Sequence, residues 1–227
     1  MQLHPSTDVL VGGAITAVIA IIGVAAERRW SHELRKKEKL ETLSALAFSI
    51  QVKIASSHGW LRSSSRAIDE CFNDADAGPF ENMEPGVKVK PLVGNPRPDI
   101  SFSPDELALL LRTGDSGLAE KLLSFQWTVG TVGALLDSFN RSRIAFSRFA
   151  ADSAVEAEFV DGPHAKISMA GRTRHAYEAR IAELNTLVGE LLTSLPECLD
   201  QSKLIMKRVE SSFRSIKGLE IRHVELQ

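Results

Sequence analysis

An uncharged apolar run near the start of the chain constrains its fold more than any other feature. Residues 9 to 26 are VLVGGAITAVIAIIGVAA, and none of these eighteen positions carries a charge. As an α-helix the run is about 27 Å long, close to the thickness of the hydrocarbon core of a bilayer. Its nine Val, Leu and Ile residues favour insertion by about 3 to 5 kcal/mol before the small residues are subtracted. The run therefore predicts a single transmembrane helix.

Three other interpretations of this run fit less well. A buried core helix is normally shorter or carries a polar stripe, and an interfacial amphipathic helix needs a charged face. A cleaved signal peptide is the strongest competitor, since Val24, Ala25 and Ala26 resemble a small-x-small cleavage site. However, the basic cluster follows the apolar run instead of preceding it, which is the reverse of a signal peptide.

The basic residues around the run predict its orientation. Residues 1 to 8 contain no Lys or Arg, whereas residues 27 to 41 contain six: Arg28, Arg29, Arg35, Lys36, Lys37 and Lys39. Because positive flanks stay cytoplasmic, we expect the N-terminus outside and the rest of the chain in the cytoplasm, at a bacterial-type inner membrane or a plasma membrane. Arg28, Arg29 and Trp30 directly follow the run and are candidates for contacts with lipid headgroups.

Small residues recur along one side of the predicted span. Gly12, Thr16, Ala20 and Gly23 are separated by three or four positions. Small side chains at this spacing let two helices approach closely in lipid, so they form a candidate helix-pairing stripe.

Beyond the span, the spacing of apolar residues predicts long packed helices. The first heptad seam consists of Leu40, Leu43, Ala47, Ile50, Ile54, Ser57, Leu61, Ser64 and Ile68. Further seams follow at 118–146, 177–195 and 205–216. The break FVDGPH at 159–164 ends the second, and Ser194 and Glu197 around Pro196 predict a cap before the last. Four such segments predict an all-α fold, an antiparallel helical bundle, with an extended dimeric coiled coil as the alternative.

The bundle segments are interrupted by a connection rich in helix breakers. Residues 74–102 contain five Pro and three Gly, which predicts a disordered or draped loop more than a short strand. Ser103 and Glu106 then form a capping box around Pro104, so a short helix should run to about Arg112. The predicted organisation is an extracytoplasmic N-terminus (1–8), span (9–26), stalk and first bundle helix (27–73), loop (74–102), remaining bundle helices (103–218) and tail (219–227).

Motifs for catalysis or metal binding are weak. Residues 114–117 resemble the nucleophile loop of trypsin-like serine proteases in four letters, GDSG, but the helical pattern supplies no β-barrel or His base. We interpret them as a turn in which Asp115 or Ser116 caps the next helix. Glu220 and His223 have the spacing of di-iron ligands, yet no second pair exists, so no cofactor or metal is predicted.

Charge and cysteine content exclude further classes. The formal net charge is -2, and acidic residues interrupt the two basic clusters of the later helices, at 172–180 and 203–217. No nucleic-acid partner and no small-molecule ligand are therefore predicted. Cys71 and Cys198 are interpreted as packing thiols in a reducing compartment.

The leading hypothesis is a membrane-anchored scaffold or interaction module that is not an enzyme. Its partners would be the lipid bilayer and either a partner protein or a second copy of the chain, bound through helix faces. The alternative is a membrane-acting effector, a toxin or defence component, that works through helix oligomerisation.

Overall fold

The computed structural model describes residues 6–78, 81–92, 94, 96–153, 156–160, 164–168, 171–216, 218, 219, 224 and 226. Side chains are described from residue 23 onward, except at residues 25 and 116 and in the two strands. The elements are α1 (Ser6–Asp76), α2 (Pro85–Lys88), α3 (Pro104–Arg112), α4 (Ser116–Ser153), β1 (Glu156–Val160), β2 (His164–Ser168) and α5 (Gly171–Arg214).

The first helix, α1, is unbroken over 71 residues, or about 107 Å. Its backbone continues from the predicted span through the stalk into the bundle, as the absence of Pro and Gly between Val24 and His58 predicts. Gly59 does not interrupt it, and the helix ends at Asp76, three residues beyond its predicted end.

The predicted span itself lies mostly outside the described side chains, which begin within it at Gly23. Among the side chains that are described, no helical stretch is both long and apolar enough to cross a membrane. The transmembrane helix at residues 9–26 therefore stays a prediction.

The helical bundle is confirmed, with α5 as its central helix. The helix α5 runs antiparallel to α1, since His58 lies opposite Ser202 while Leu40 lies near Gly218, just after α5. It also runs antiparallel to α4, since Phe146 lies opposite Tyr177 while Asp115, just before α4, binds Arg208. The short helix α3 packs against both α1 and α4. The predicted seam of α1 is buried inside one chain, with Ile50, Ile54 and Leu61 fully covered.

The number of long helices differs from the prediction. Pro196 was expected to separate two helices, but α5 is continuous from Gly171 to Arg214 with Pro196 inside it. Proline removes one helical hydrogen bond, to the carbonyl of Leu192, and Pro196 and Leu192 both lie on exposed positions of α5. Water can hydrate that carbonyl, so the bundle has three long helices instead of four.

The connection between α4 and α5 is the second difference. The α4 helix was expected to reach the break at residue 159, but it ends at Ser153, and β1 and β2 form an antiparallel hairpin. The hairpin pairs Glu158 with Lys166, and Ala157 with Ile167. The sequence does carry a signal for two strands, because two short runs flank Gly162 and Pro163, but the apolar spacing of α4 favours a helix through the first run.

Candidate interaction site on the first helix

The stalk of α1, residues 23–39, is exposed to solvent at nearly every described position. The side chain of Trp30 is 69% exposed, and Arg28 and Arg29 are also exposed. Opposite charges four positions apart lie close together on the stalk, since Arg29 lies 3.8 Å from Glu33 and Lys37 lies 3.9 Å from Glu41. The candidate headgroup residues thus lie on a part of α1 that the bundle does not cover.

The candidate pairing stripe is described only at its last member. Gly23 is exposed, and no atom lies within 4 Å of the place where a Cβ would be. The side chains of Gly12, Thr16 and Ala20 lie outside the described residues.

The stalk continues into an uncharged surface on the bundle portion of α1, which we call the outer face. The outer face consists of Ala45, Phe48, Val52, Ser56 and Gly59, all of which are exposed and lie opposite the buried seam. Val52 is 39% exposed and Phe48 is 38% exposed. Between residues 42 and 61 the one Asp, Glu, Lys or Arg is Lys53. A helix surface this poor in charge is unusual on a water-exposed element.

Lys53 is directed away from the outer face by a buried carboxylate. Its Nζ donates to both carboxylate oxygens of Glu106, at 2.9 and 2.7 Å, and to the carbonyl of Ser101. Glu106 also accepts from Ser49 Oγ and from the Ser103 backbone, which completes the predicted capping box. Burial raises the pKa of Glu106, but these hydrogen bonds outweigh it and hold the pKa below its usual value. The cluster locks α3 onto α1.

A second buried polar pair joins α1 to α5. His58 Nδ1 lies 2.7 Å from Ser202 Oγ, which in turn donates to the carbonyl of Leu199. His58 therefore donates from Nδ1. Burial, followed by the charges of Lys203 and Arg62, lowers the pKa of His58. Both residues are less than 5% exposed, so the pair packs inside the bundle.

The GDSG residues form a turn, as the sequence indicates. The Asp115 carboxylate accepts two hydrogen bonds from Arg208 on α5 and one from the backbone of Gly117 at the start of α4. The bonds from Arg208 hold the pKa of Asp115 below its usual value. Asp115 therefore caps α4 and ties it to α5.

The Pro- and Gly-rich loop is an ordered strap across α4 and α5. Asn140 bonds both backbone groups of Leu92, at 2.8 and 3.0 Å, and Asn185 accepts from the Gly86 backbone at 2.7 Å. Arg143 donates to the carbonyls of residues 87 and 89. A Cβ at Gly86 would lie 2.5 Å from the Leu184 backbone, so only glycine fits there. The segment also contains the short helix α2, where the sequence predicted a disordered or draped loop. The contacts with α4 and α5 were missed because single Asn and Arg residues on a helix carry no sequence signal.

The described residues also contain a cleft beside the strap and a buried thiol. A cleft of about 300 Å³ opens between the strap and α4, and its lining includes Arg97, Asp99 and Gln126. Within the part of the chain that the structure describes, Gln126 Oε1 and both amide atoms of the buried Gln51 have no hydrogen-bond partner. Cys198 is buried, and burial raises the pKa of its thiol to about 11, as a packing thiol requires.

Within the described residues, no three His, Cys, Asp or Glu side chains gather into a metal-binding group. Glu220 and His223 lie outside them.

Comparison with known proteins identifies no relative of this chain. No family model, no curated protein and no solved structure matches it.

Proposed function

We propose that the chain is a membrane-anchored helical-bundle protein that acts as an interaction module in the cytoplasm. The observation that carries this proposal is the continuity of α1. One unbroken helix joins the uncharged apolar run to an exposed stalk and then to the bundle core. Because the helix is continuous, no flexible linker separates the bundle from the proposed anchor, and the distance of the bundle from the bilayer is fixed.

The polar clusters of the bundle support binding more than catalysis. The Glu106, His58 and Asp115 clusters each join one helix to another, and their hydrogen bonds are directed into the protein. The outer face of α1 is uncharged and exposed. Exposed apolar surfaces often bind other proteins, because binding buries apolar area. An uncharged surface adds no cost for desolvating charges.

The anchor is tested by two substitutions in the apolar run. Arginine at the centre of a span costs about 2.5 to 3.5 kcal/mol, so Ile19→Arg with Ile22→Arg costs more than the run gains by insertion. The native chain should sediment with membranes and resist alkaline extraction, and the double variant should move to the supernatant. Ile19→Leu with Ile22→Leu is the matched control and should behave like the native chain. Native protein in the supernatant would refute the anchor.

The interaction role needs a separate readout. A labelling enzyme fused after residue 227 should mark a set of neighbouring proteins in living cells. The same enzyme fused after residue 42 retains the predicted span and the stalk but lacks the bundle. If both fusions mark the same proteins, the bundle recruits none and the proposed role is wrong.

A further inference from the structure

The exposed positions of the stalk and the outer face of α1 lie along one line. Eighteen residues make about five turns of an α-helix, so positions eighteen apart lie on the same side. Trp30 thus lies in line with Phe48, and Leu34 lies in line with Val52. Trp30 and Leu34 are 69% and 47% exposed, and Val52 is 39% exposed. The apolar line therefore runs from the stalk onto the bundle.

The candidate pairing stripe falls on the same line by helical periodicity. Gly12, Thr16, Ala20 and Gly23 precede the outer-face positions 48, 52, 56 and 59 by thirty-six residues each, which is about ten turns. The α1 backbone is helical over this whole distance. A second helix that packs on the stripe would therefore continue along the outer face without meeting α3 or α5, which lie on the opposite side of α1.

We propose that two copies of the chain pair in parallel along α1, through the outer face, the stalk and the stripe. The parallel direction rests on the proposed anchor, since two chains in one membrane present their helices in the same sense. A parallel pair places each residue opposite itself, and the outer face carries no charge that would repel its own copy. In the stalk, Glu27 and Glu41 lie on the line and face their own copies.

The charges of the stalk favour a second copy over an unrelated helix. Lys37 and Glu38 lie on opposite sides of the apolar line. In a symmetric parallel pair, the left flank of one helix faces the right flank of its copy. Lys37 of each copy therefore lies opposite Glu38 of the other. Glu41 lies near the middle of the line, where Lys37 of its own helix lies 3.9 Å away and offsets its charge.

Glycine at position 59 fits close approach of another helix. Gly59 is exposed inside α1, and nothing in the described chain lies within 4 Å of the place where its Cβ would be. Glycine in a helix interior costs about 0.5 to 1 kcal/mol relative to alanine. Gly130 and Gly189 have equally open surroundings, so Gly59 allows a closely packed second helix and does not by itself require one.

Disulfide formation between single cysteines tests the pairing in the full-length chain. The Cys71→Ser variant is the background, and Cys198 remains because it is buried. Gly23→Cys and Ser56→Cys should each form oxidised dimers in membranes, at least about tenfold more than Ser124→Cys on the exposed side of α4. Dimers at both positions require a parallel pair. No dimer at either position, or equal dimer at position 124, would overturn the proposal.

A matched pair of glycine substitutions separates pairing from folding. Gly59→Leu and Gly189→Leu both fill open space at exposed helical positions, so both should keep the fold. Gly59→Leu should lower the dimer yield of the Gly23→Cys variant by about tenfold, equivalent to about 1.4 kcal/mol. Gly189→Leu should leave it unchanged. Equal yields in the two variants would contradict pairing through the outer face.

The same samples distinguish the pairing from the anchor. Protein that fractionates with membranes but gives no dimer would refute the pairing and leave the anchor intact. Soluble protein that still forms both dimers would refute the anchor, and the pair would then be held by α1 alone.

Discussion

Single residues decide how the helices of this bundle are joined. The sequence predicts the capping box at Ser103 and Glu106, but it does not show that the same carboxylate also binds Lys53 of α1. Long-range pairs of this kind depend on the register between two helices. Periodicity predicts which face of a helix is buried and leaves that register undetermined.

The buried pair of His58 and Ser202 makes the bundle sensitive to acid. Burial lowers the pKa of His58 below its ordinary 6.5, so the folded state binds the proton less readily than the unfolded state does. The free energy of unfolding should therefore be constant above about pH 6.5 and should fall as the pH drops below that value.

Urea unfolding at pH 7.5 and pH 5.5 measures this effect. The difference between the two free energies of unfolding should shrink in His58→Asn, whose amide can still donate to Ser202. His32→Asn, on the exposed stalk, should keep the native difference. An unchanged difference in His58→Asn would show that another group causes the acid sensitivity.

At the scale of elements, the strap depends on a few side chains of α4 and α5. Asn140→Ala removes both hydrogen bonds to the Leu92 backbone, and we expect a loss of about 2 kcal/mol in local stability. Hydrogen exchange of the Leu92 amide should become faster, while exchange at Val129 in the buried part of α4 should not change. Asn73→Ala, at an exposed position near the end of α1, is the control. Unchanged exchange at Leu92 would show that other contacts hold the strap.

The continuous α5 carries a second prediction at this scale. Pro196→Ala restores the missing backbone donor for the Leu192 carbonyl, and it should stabilise the protein by about 1 to 3 kcal/mol. For a chain of this size that gain corresponds to a rise of several degrees in Tm. A fall in Tm, with α-helix content preserved, would mean that the bundle packs around the bend that proline imposes.

The elements also show how far the sequence alone leads. Heptad spacing predicts the buried faces of α1 and α4, because burial repeats with the period of the helix. The α5 helix is divided wrongly at Pro196, because tertiary packing outweighs the local cost of one lost hydrogen bond. The hairpin is missed because two five-residue strands form a weaker pattern than the helices around them.

The candidate interaction site is only partly predictable in the same way. The stalk charges and the small-residue stripe are visible in the sequence. The predicted seam places the outer face on the opposite side of α1, but it does not show that this side stays exposed once the other helices have packed.

At the scale of the whole molecule, α1 extends beyond the bundle at its N-terminal end, which we propose lies in lipid. The bundle begins on α1 near Leu40, which lies 3.5 Å from the position a Cβ would take at Gly218. The hairpin between α4 and α5 lies at the opposite end of the bundle from the stalk, because α4 runs from the stalk end to the hairpin and α5 returns from the hairpin to the stalk end. Partners of the outer face would bind between these two ends.

Labelling of cysteines in sealed cells tests whether α1 crosses the membrane with the bundle on the cytoplasmic side. A maleimide that cannot cross membranes is applied to the Cys71→Ser chain carrying either Ser6→Cys, before the apolar run, or Ser63→Cys, on an exposed position of α1 in the bundle. The account predicts that Ser6→Cys is labelled in intact cells and that Ser63→Cys is labelled only after permeabilisation. Equal protection of both positions, or labelling of Ser63→Cys in intact cells, would contradict it.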